Sequence, residues 1–190
     1  MSLAQVDAAY VSNHPSVLGR IRRPRIDIAV WQRALPASLT RDLARWVFET
    51  EAAPFDAIVR APAPVDLALA SLPDALRRDL SADLSALLDV FTELTHAKRF
   101  RLFAGVVRTD QCRKFHVDAI ELRMITTYVG PGTEWMASDD GVRRARAGDV
   151  LMLRGGLGSV GRGAVHRSPP IEHVGARRFV VMATLGGAIA

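Results

Sequence analysis

A chain of 190 residues is long enough to bury a hydrophobic core without disulfides or structural metals, and its length fits one domain. Hydrophobic residues make up 49% and charged residues 24% of the sequence, which is typical of a globular protein and excludes intrinsic disorder. The formal net charge is only +5, with one short arginine cluster between Arg20 and Arg25, so the composition argues against nucleic-acid binding.

The single cysteine, Cys112, excludes an intramolecular disulfide framework and is typical of a reducing compartment. The N-terminus lacks the charged and apolar regions of a signal peptide, and no apolar segment is long enough to span a bilayer. We therefore expect a cytoplasmic protein with no membrane partner.

The N-terminal half mixes strand and helix patterns. Residues 1–25 show no sustained periodicity and predict an irregular arm. Alternating residues predict strands at 26–31 and 55–60. Between them, Pro36 and Ser38 open a helix whose apolar residues recur every three to four positions, so this helix can bury one face.

The clearest helix of the sequence begins near Pro73. Ser71 offers a capping hydroxyl, Pro73 suits a first turn, and Asp74 favours the positive end of the helix dipole. An apolar stripe follows, with charged residues largely on the opposite side, and it predicts a helix that packs on a core. The stripe consists of Leu76, Leu80, Leu84, Leu87, Leu88, Phe91 and Leu94.

From residue 99 onward, short β-like runs alternate with turns, which favours a jelly roll with the helices packed outside it. We predict a mainly β fold with N-terminal α-helices, in which a double-stranded β-helix (jelly roll) core is flanked by helices. Residues 1–190 form a single domain: 1–98 are a helical and mixed segment that packs on the core, and 99–190 are the jelly-roll metal-binding core. The predicted strands are 100–108, 121–129, 149–153, 164–167 and 179–185.

Three residues of this core have side chains that suit a metal ion. His116 and Asp118 are two positions apart, so on an extended strand both side chains project from one face. His166 lies on another predicted strand and supplies a third ligand. Such a 2-His-1-carboxylate triad leaves open positions on Fe(II) for a co-substrate and dioxygen. The H-x-D pair by itself is also compatible with a structural histidine.

These motifs resemble the Fe(II)/2-oxoglutarate-dependent dioxygenase superfamily, in which H-x-D is followed by a distal histidine and then by Arg or Lys about ten residues later. Here the pattern is His116-Val117-Asp118, then His166-Arg167-Ser168-Pro169, then Arg177-Arg178. The surrounding strands resemble the prolyl-hydroxylase-like branch. The nearest resemblance is to a bacterial family of unassigned function that carries the same H-x-D and H-R-S-P motifs.

The resemblance implies an oxidoreductase that uses Fe(II) and 2-oxoglutarate on a small-molecule or peptide substrate. Arg178 would pair with the distal carboxylate of 2-oxoglutarate, because a guanidinium fork suits a carboxylate. Arg177 competes for this role, since the following residues are apolar on both faces. Tyr128 and Arg123 are second candidates for co-substrate contact. The implied iron ligands and catalytic residues are His116, Asp118 and His166.

Cys112 is compatible with a different metal at this site, zinc instead of iron. On an extended strand it would share a face with His116 and Asp118, and with His166 it could complete a tetrahedral zinc site. The alternative function is therefore a zinc-binding jelly-roll protein for sensing, storage or hydrolysis, without oxygenase activity. A third alternative is an interaction domain with a vestigial triad. The sequence leaves the substrate and the oligomeric state open.

One further motif, G-x-G-x-x-G at residues 156–161, matches part of a dinucleotide-binding fingerprint. That fingerprint needs a following helix whose N-terminus receives the pyrophosphate. Pro169 and Pro170 follow closely instead, so we expect no dinucleotide site here.

Overall fold

Two β-sheets form the core of the chain within residues 9–137, 141–161 and 163–187, which are those that the computed structural model describes. The mainly β class predicted from sequence is confirmed. In chain order the strands are β1 (Ala9–Ser12), β2 (Ile28–Trp31), β3 (Phe55–Arg60), β4 (Arg99–Val107), β5 (Leu122–Val129), β6 (Glu134–Met136), β7 (Val142–Arg144), β8 (Val150–Arg154), β9 (His166–Arg167) and β10 (Arg178–Leu185).

The larger sheet has the strand order β1-β2-β8-β5-β10-β4-β3, and in the described residues all neighbours pair antiparallel except β1 and β2. The smaller sheet has the order β7-β6-β9. Because β1, β2 and β3 all come from residues 1–98, this segment contributes strands to the larger sheet as well as helices.

The N-terminal arm is more regular than its sequence predicts. Besides β1, it forms a 3₁₀ helix at Pro15–Arg22 that buries Val17, Leu18 and Ile21. The prediction of an irregular arm is wrong for these residues, and residues 1–8 lie outside the described part of the chain. A 3₁₀ helix is short, and β1 depends on pairing with β2, so neither leaves a local periodic signal.

The α-helices are α1 (Ala37–Glu49), α2 (Val65–Ala68) and α3 (Asp74–Thr95). In α3 the apolar stripe from Leu76 to Phe91 is buried, as its spacing predicts. The expected cap at Ser71 is wrong: the N-cap residue is Pro73, and no side chain caps the helix. None of the helices in the described ranges has the length and apolarity needed to cross a bilayer.

The larger sheet has two different faces because side chains alternate along its strands. On β4 and β10, one set of alternate residues joins the main hydrophobic core that α1 and α3 also form. This set comprises Phe100, Leu102, Ala104, Phe179, Val181 and Ala183. The alternate set on the other face, which we call the inner face, lines a pocket and comprises Arg101, Phe103, Val107, Arg178, Val180, Met182 and Thr184.

Candidate metal centre

His116, Asp118 and His166 meet at the pocket on the inner face. Nε2 of His116 lies 3.4 Å from Oδ1 of Asp118, and Nε2 of His166 lies 3.3 Å from Oδ2 of the same carboxylate. One ligand atom of each residue lies within 4.8 Å of the other two. Among the His, Cys, Asp and Glu side chains of the described residues, these three form the group with metal-binding spacing.

The backbone joins the two histidines directly. His116 and His166 form an isolated antiparallel bridge, in which the N–H of each donates to the carbonyl of the other at 3.0 Å. Asp118 follows in an irregular segment before β5. The ligands therefore converge through a two-residue bridge and a loop, and not through the extended H-x-D strand that the sequence analysis assumed.

Both imidazole rings are turned so that Nε2 faces the carboxylate. Nδ1 of His116 lies 2.8 Å from the carbonyl oxygen of Lys114, and Nδ1 of His166 lies 3.0 Å from that of Ala164. A carbonyl only accepts, so Nδ1 carries the proton in each ring and the neutral ring has its lone pair on Nε2. Metal-binding histidines are commonly oriented in this way by a backbone carbonyl.

The carboxylate of Asp118 is mostly buried, with 16% of its side chain exposed. Its Oδ2 lies 2.5 Å from Nη1 of Arg123, but no donor in the described residues reaches this oxygen with hydrogen-bond geometry. Burial raises the pKa of Asp118, but the His166 ring and the Arg123 guanidinium lower it more, so this pKa lies below its ordinary value. The group stays an anion at neutral pH. Two imidazoles and one carboxylate are the donor set of non-haem Fe(II) sites, so these residues fit that ion.

A glycine-rich loop after β8 holds the Asp118 segment in place. The N–H of Gly156 donates to the carbonyl of Asp118 at 2.8 Å, and the N–H of Leu157 donates to that of Ile120 at 3.0 Å. A Cβ at Gly155 would lie 2.2 Å from the Ile120 carbonyl oxygen, so only glycine fits this close approach. Residues 155–161 form turns and bends, and backbone hydrogen bonds from this loop hold the segment that carries Asp118.

Arg178, at the start of β10, is a buried cation beside the same pocket. Only 2% of its surface is exposed, Nε donates to the carbonyl of Pro131 at 2.7 Å, and Nη2 donates to Oγ1 of Thr127 at 3.2 Å. These partners are uncharged. Burial lowers the pKa of Arg178 to about 10, although the nearby Glu134 charge opposes this effect. The guanidinium is therefore fixed in place without a carboxylate hydrogen-bonded to it in the described chain.

Arg177 points away from the pocket. Its Nη1 donates to the carbonyls of Val47 at 3.3 Å and Thr50 at 3.0 Å, and its Nη2 contacts Glu51 at 3.1 Å. It thus ties the end of α1 to β10. Of the two neighbouring arginines, the structure brings Arg178 to the triad's pocket.

The remaining candidates from the sequence analysis divide between the two faces. Arg123 lines the pocket beside Asp118. Tyr128 is fully buried on the helix side, where its hydroxyl donates to Oδ2 of Asp83 at 2.7 Å. Burial and the Asp83 charge raise the pKa of Tyr128. This tyrosine is part of the core between sheet and α3.

Cys112 also lines the pocket, but it lies outside the group with metal-binding spacing within the described ranges. Its backbone is left-handed, with φ of 55°, and it sits in an exposed turn. The extended strand that would have aligned Cys112 with His116 and Asp118 does not form.

Some residues that shape the site are absent from the sequence analysis. The carbonyls of Lys114, Ala164 and Pro131 orient the two imidazoles and Arg178, and main-chain groups leave no signal in a sequence. Thr127 could have been found from the sequence, because it lies four positions after Arg123 on β5 and both side chains therefore project from the inner face.

Three solved structures share this fold. The dioxygenase for auxin oxidation 1 from Arabidopsis thaliana, in a complex with 2-oxoglutarate, matches with a TM-score of 0.56 and 11% identity over 96% of this chain and 93% of that one. The dioxygenase for auxin oxidation in rice matches with a TM-score of 0.55 and 15% identity over 95% of this chain and 83% of that one. A Pseudomonas putida prolyl-4-hydroxylase matches with a TM-score of 0.52 and 13% identity over 91% of this chain and 95% of that one. At these identities the likeness concerns the fold, a β-rich core of the kind found in 2-oxoglutarate oxygenases.

Comparison with curated proteins gave no match. A family described as "Protein of unknown function (DUF1826)" matches residues 12–183, which is most of the chain. This protein therefore belongs to the DUF1826 family.

Proposed function

We propose that this protein is an Fe(II)/2-oxoglutarate-dependent oxygenase that couples oxidation of its substrate to conversion of 2-oxoglutarate to succinate and carbon dioxide. The observation that carries the proposal is one pocket that contains both a 2-His-1-carboxylate group and a buried guanidinium hydrogen-bonded to uncharged groups in the described chain. The first suits Fe(II) and the second suits the distal carboxylate of a dicarboxylate. The fold likeness to oxygenases, one of them in complex with 2-oxoglutarate, supports the proposal.

In this proposal, Nε2 of His116, Nε2 of His166 and the Asp118 carboxylate hold the iron. Bound Fe(II) would supply the redox chemistry of dioxygen activation. The protein's part is to keep these three donors convergent before the metal arrives. The backbone bridge between the histidines and the carbonyls behind both rings fix two donors, and the glycine-rich loop fixes the segment that carries the third.

Arg178 receives the distal carboxylate of 2-oxoglutarate. Pro131 and Thr127 already fix its guanidinium, so little side-chain freedom is lost on binding. Placing a buried cation without a bonded carboxylate is costly, and a bound carboxylate recovers part of that cost. Arg178 and the triad would then hold the two ends of the co-substrate.

The rest of the pocket limits the substrate. Its volume is about 400 Å³, which is within the range of small-molecule sites. With 2-oxoglutarate bound, the remaining space suits a small molecule or one side chain of a peptide. The apolar part of the substrate would contact a wall of the pocket formed by Phe103, Val107, Ile125, Val180 and Met182.

Anaerobic calorimetry tests the proposal. 2-Oxoglutarate is titrated into protein loaded with Fe(II), with Arg178→Ala as the variant and Arg177→Ala as the matched control from the adjacent position. We expect binding by the parent protein and by Arg177→Ala, and at least a tenfold loss in Arg178→Ala, since hydrogen bonds to charged groups contribute about 1.5–3 kcal/mol. Absence of 2-oxoglutarate binding, or equal affinity in all three proteins, would contradict the proposal.

Metal analysis tests the zinc alternative. Protein prepared without chelator is dialysed and its metal content is compared between the parent chain and Cys112→Ser. We expect no zinc that depends on Cys112, because this residue sits in an exposed turn outside the group with metal-binding spacing. Tightly held zinc that disappears in Cys112→Ser would instead favour the zinc-binding function.

A further inference from the structure

We propose that Arg123 is the positioning residue of the metal centre: it holds Oδ2 of Asp118, and Thr184 in turn holds Arg123, so that Oδ1 remains available to the metal. This inference rests on the proposed function. It gives Arg123 a role toward a metal ligand, in place of the co-substrate contact expected from sequence.

Arg123 connects two elements at the edge of the pocket. Its Nη1 lies 2.5 Å from Oδ2 of Asp118, and its Nε donates to Oγ1 of Thr184 at 3.2 Å. Arg123 on β5 and Thr184 on β10 are direct partners in the antiparallel register. The guanidinium is therefore tied to the rigid sheet at one end and to the loop carboxylate at the other.

The pair is shielded from water more than an ordinary surface ion pair. The exposed fractions of the side chains are 21% for Arg123 and 16% for Asp118. Exposed ion pairs contribute about 0–1 kcal/mol because water screens them and both side chains lose freedom. Partial burial strengthens the attraction, and the Thr184 contact restricts the arginine beforehand.

Asp118 needs such a partner more than the two histidines do. Each imidazole has a backbone carbonyl behind it that sets the ring orientation. The Asp118 main chain is held by Gly156, but this contact leaves the carboxylate free to rotate. Arg123 orients the carboxylate, as the backbone carbonyls orient the two rings. Groups that contact metal ligands commonly have this role.

The charge of Arg123 and its positioning role predict opposite effects of its removal on metal affinity. A guanidinium beside the centre repels a divalent cation, so charge alone predicts that its removal strengthens metal binding. Positioning predicts that its removal weakens metal binding. Arg123→Lys separates the two effects, because lysine keeps the charge but its compact ammonium group lacks the fork that bridges Asp118 and Thr184.

The test measures Co(II) binding without 2-oxoglutarate, by calorimetry and by the visible absorption of the bound ion. The variants are Arg123→Lys and Thr184→Val. Arg77→Lys is the matched control, since Arg77 also pairs with an aspartate, Asp74, at 2.6 Å, but lies on α3 and does not line the pocket.

We expect Arg123→Lys to lose about 10- to 100-fold in Co(II) affinity, the usual effect of losing a residue that supports a metal ligand. Its Co(II) spectrum should change, which a purely structural role would not cause. Thr184→Val should lose a few-fold, and Arg77→Lys should bind like the parent. If Arg123→Lys does not fold, Thr184→Val decides: a loss relative to Arg77→Lys supports the inference, and equal affinity overturns it.

Parent-like affinity and spectrum in folded Arg123→Lys would overturn the inference and leave the proposed function standing. If the parent protein itself binds no Co(II) or Fe(II), the proposed function fails, and the inference fails with it. Calorimetry on the parent protein therefore separates the two failures.

Discussion

The two faces of the larger sheet differ in what they bury. The face toward α1 and α3 is packed with aliphatic and aromatic side chains that continue across β4, β5 and β10. The inner face of the same strands carries Arg101, Arg123, Arg178 and Thr184 around a pocket. Under the proposed function, successive residues of one strand would serve stability and binding separately, so we expect substitutions on one face to leave the other property intact.

Buried arginines make the difference clearest. On the helix side, Arg33 pairs with Asp83 through both Nη atoms, and the Tyr128 hydroxyl also donates to that carboxylate. Burial lowers the pKa of Arg33, but the Asp83 carboxylate raises it further, so it lies above its ordinary value. Arg178 has no such bonded partner in the described residues, and its pKa falls to about 10 through burial. A cation paired with a carboxylate stabilises a core, whereas a cation hydrogen-bonded only to uncharged groups is suited to bind an anion.

Phe91→Ala should have the largest effect on the helix side. Phe91 is fully buried in α3 and meets the Phe100 ring edge-on at 5.3 Å. Removing such a ring leaves a cavity and costs about 3–5 kcal/mol of unfolding free energy, measurable by urea denaturation. Metal affinity, measured where the variant is folded, should not change. A parallel fall in affinity would show that the two faces are coupled.

His166→Ala is the converse test on the inner face. It removes one of three donors, and we expect metal affinity to fall by at least about 100-fold, the upper range for residues that only support ligands. Unfolding free energy should change by no more than about 1–2 kcal/mol, because the polar contacts of the imidazole in the described chain are a local carbonyl at 3.0 Å and the Asp118 carboxylate at 3.3 Å. His173→Ala, on an exposed 3₁₀ helix, is the control. Calorimetry that gives equal affinities for these two variants would rule out the triad as the metal site.

Arg178→Met sharpens the contrast between the two buried arginines. Replacing a buried ion pair by apolar side chains of similar volume is often neutral or stabilising, by about 1–4 kcal/mol, and in the described chain Arg178 has no hydrogen-bonded carboxylate that its loss would leave unpaired. We therefore expect 2-oxoglutarate affinity to fall at least tenfold while unfolding free energy without ligand stays level or rises. Arg33→Met should lower stability, because it leaves the partly buried Asp83 carboxylate, 25% of whose side chain is exposed, without its guanidinium partner. Destabilisation by Arg178→Met as large as that of Arg33→Met would place both arginines in structural roles.

Sequence predicted the parts of this architecture that have a local period or motif. The α3 stripe repeats over five turns, and long strands such as β4 and β10 lie within a residue of their predicted ranges at most ends. A motif brought His116, Asp118 and His166 together as candidates; the strand predicted at His166 is present, but the extended strand assumed for His116 and Asp118 does not form.

Features that depend on distant partners could not be predicted. β1 exists through its pairing with β2, and β6 and β7 have only three residues each. The choice between Arg177 and Arg178 depends on strand register, because the residues that follow are apolar on both faces. The bond from Arg123 to Thr184 joins residues 61 positions apart, which no local pattern encodes.

Glu134→Gln should have the smallest effect, and it depends on pH. Glu134 on β6 is buried and accepts from Nε of Arg144 at 2.8 Å and from Nε of Arg167, next to His166, at 2.6 Å. Burial raises the pKa of Glu134, but the two guanidinium groups lower it more, so it lies below its ordinary value of 4.5. The ion-pair stabilisation is therefore complete above pH 4.5 and is lost as the pH falls through the lowered pKa.

At neutral pH, Glu134→Gln should reduce the unfolding free energy on the order of 1 kcal/mol, since a neutral amide still accepts from one arginine. As the pH falls from 4.5 through the lowered pKa, the parent carboxylate takes up its proton, and the difference between the two proteins in urea denaturation should shrink toward zero. A difference that stays constant across this range would mean that the arginines do not stabilise the charged form of Glu134. The smaller sheet would then owe its stability chiefly to packing, and the contrast between the two sides of the molecule would be confined to the pocket that contains the triad.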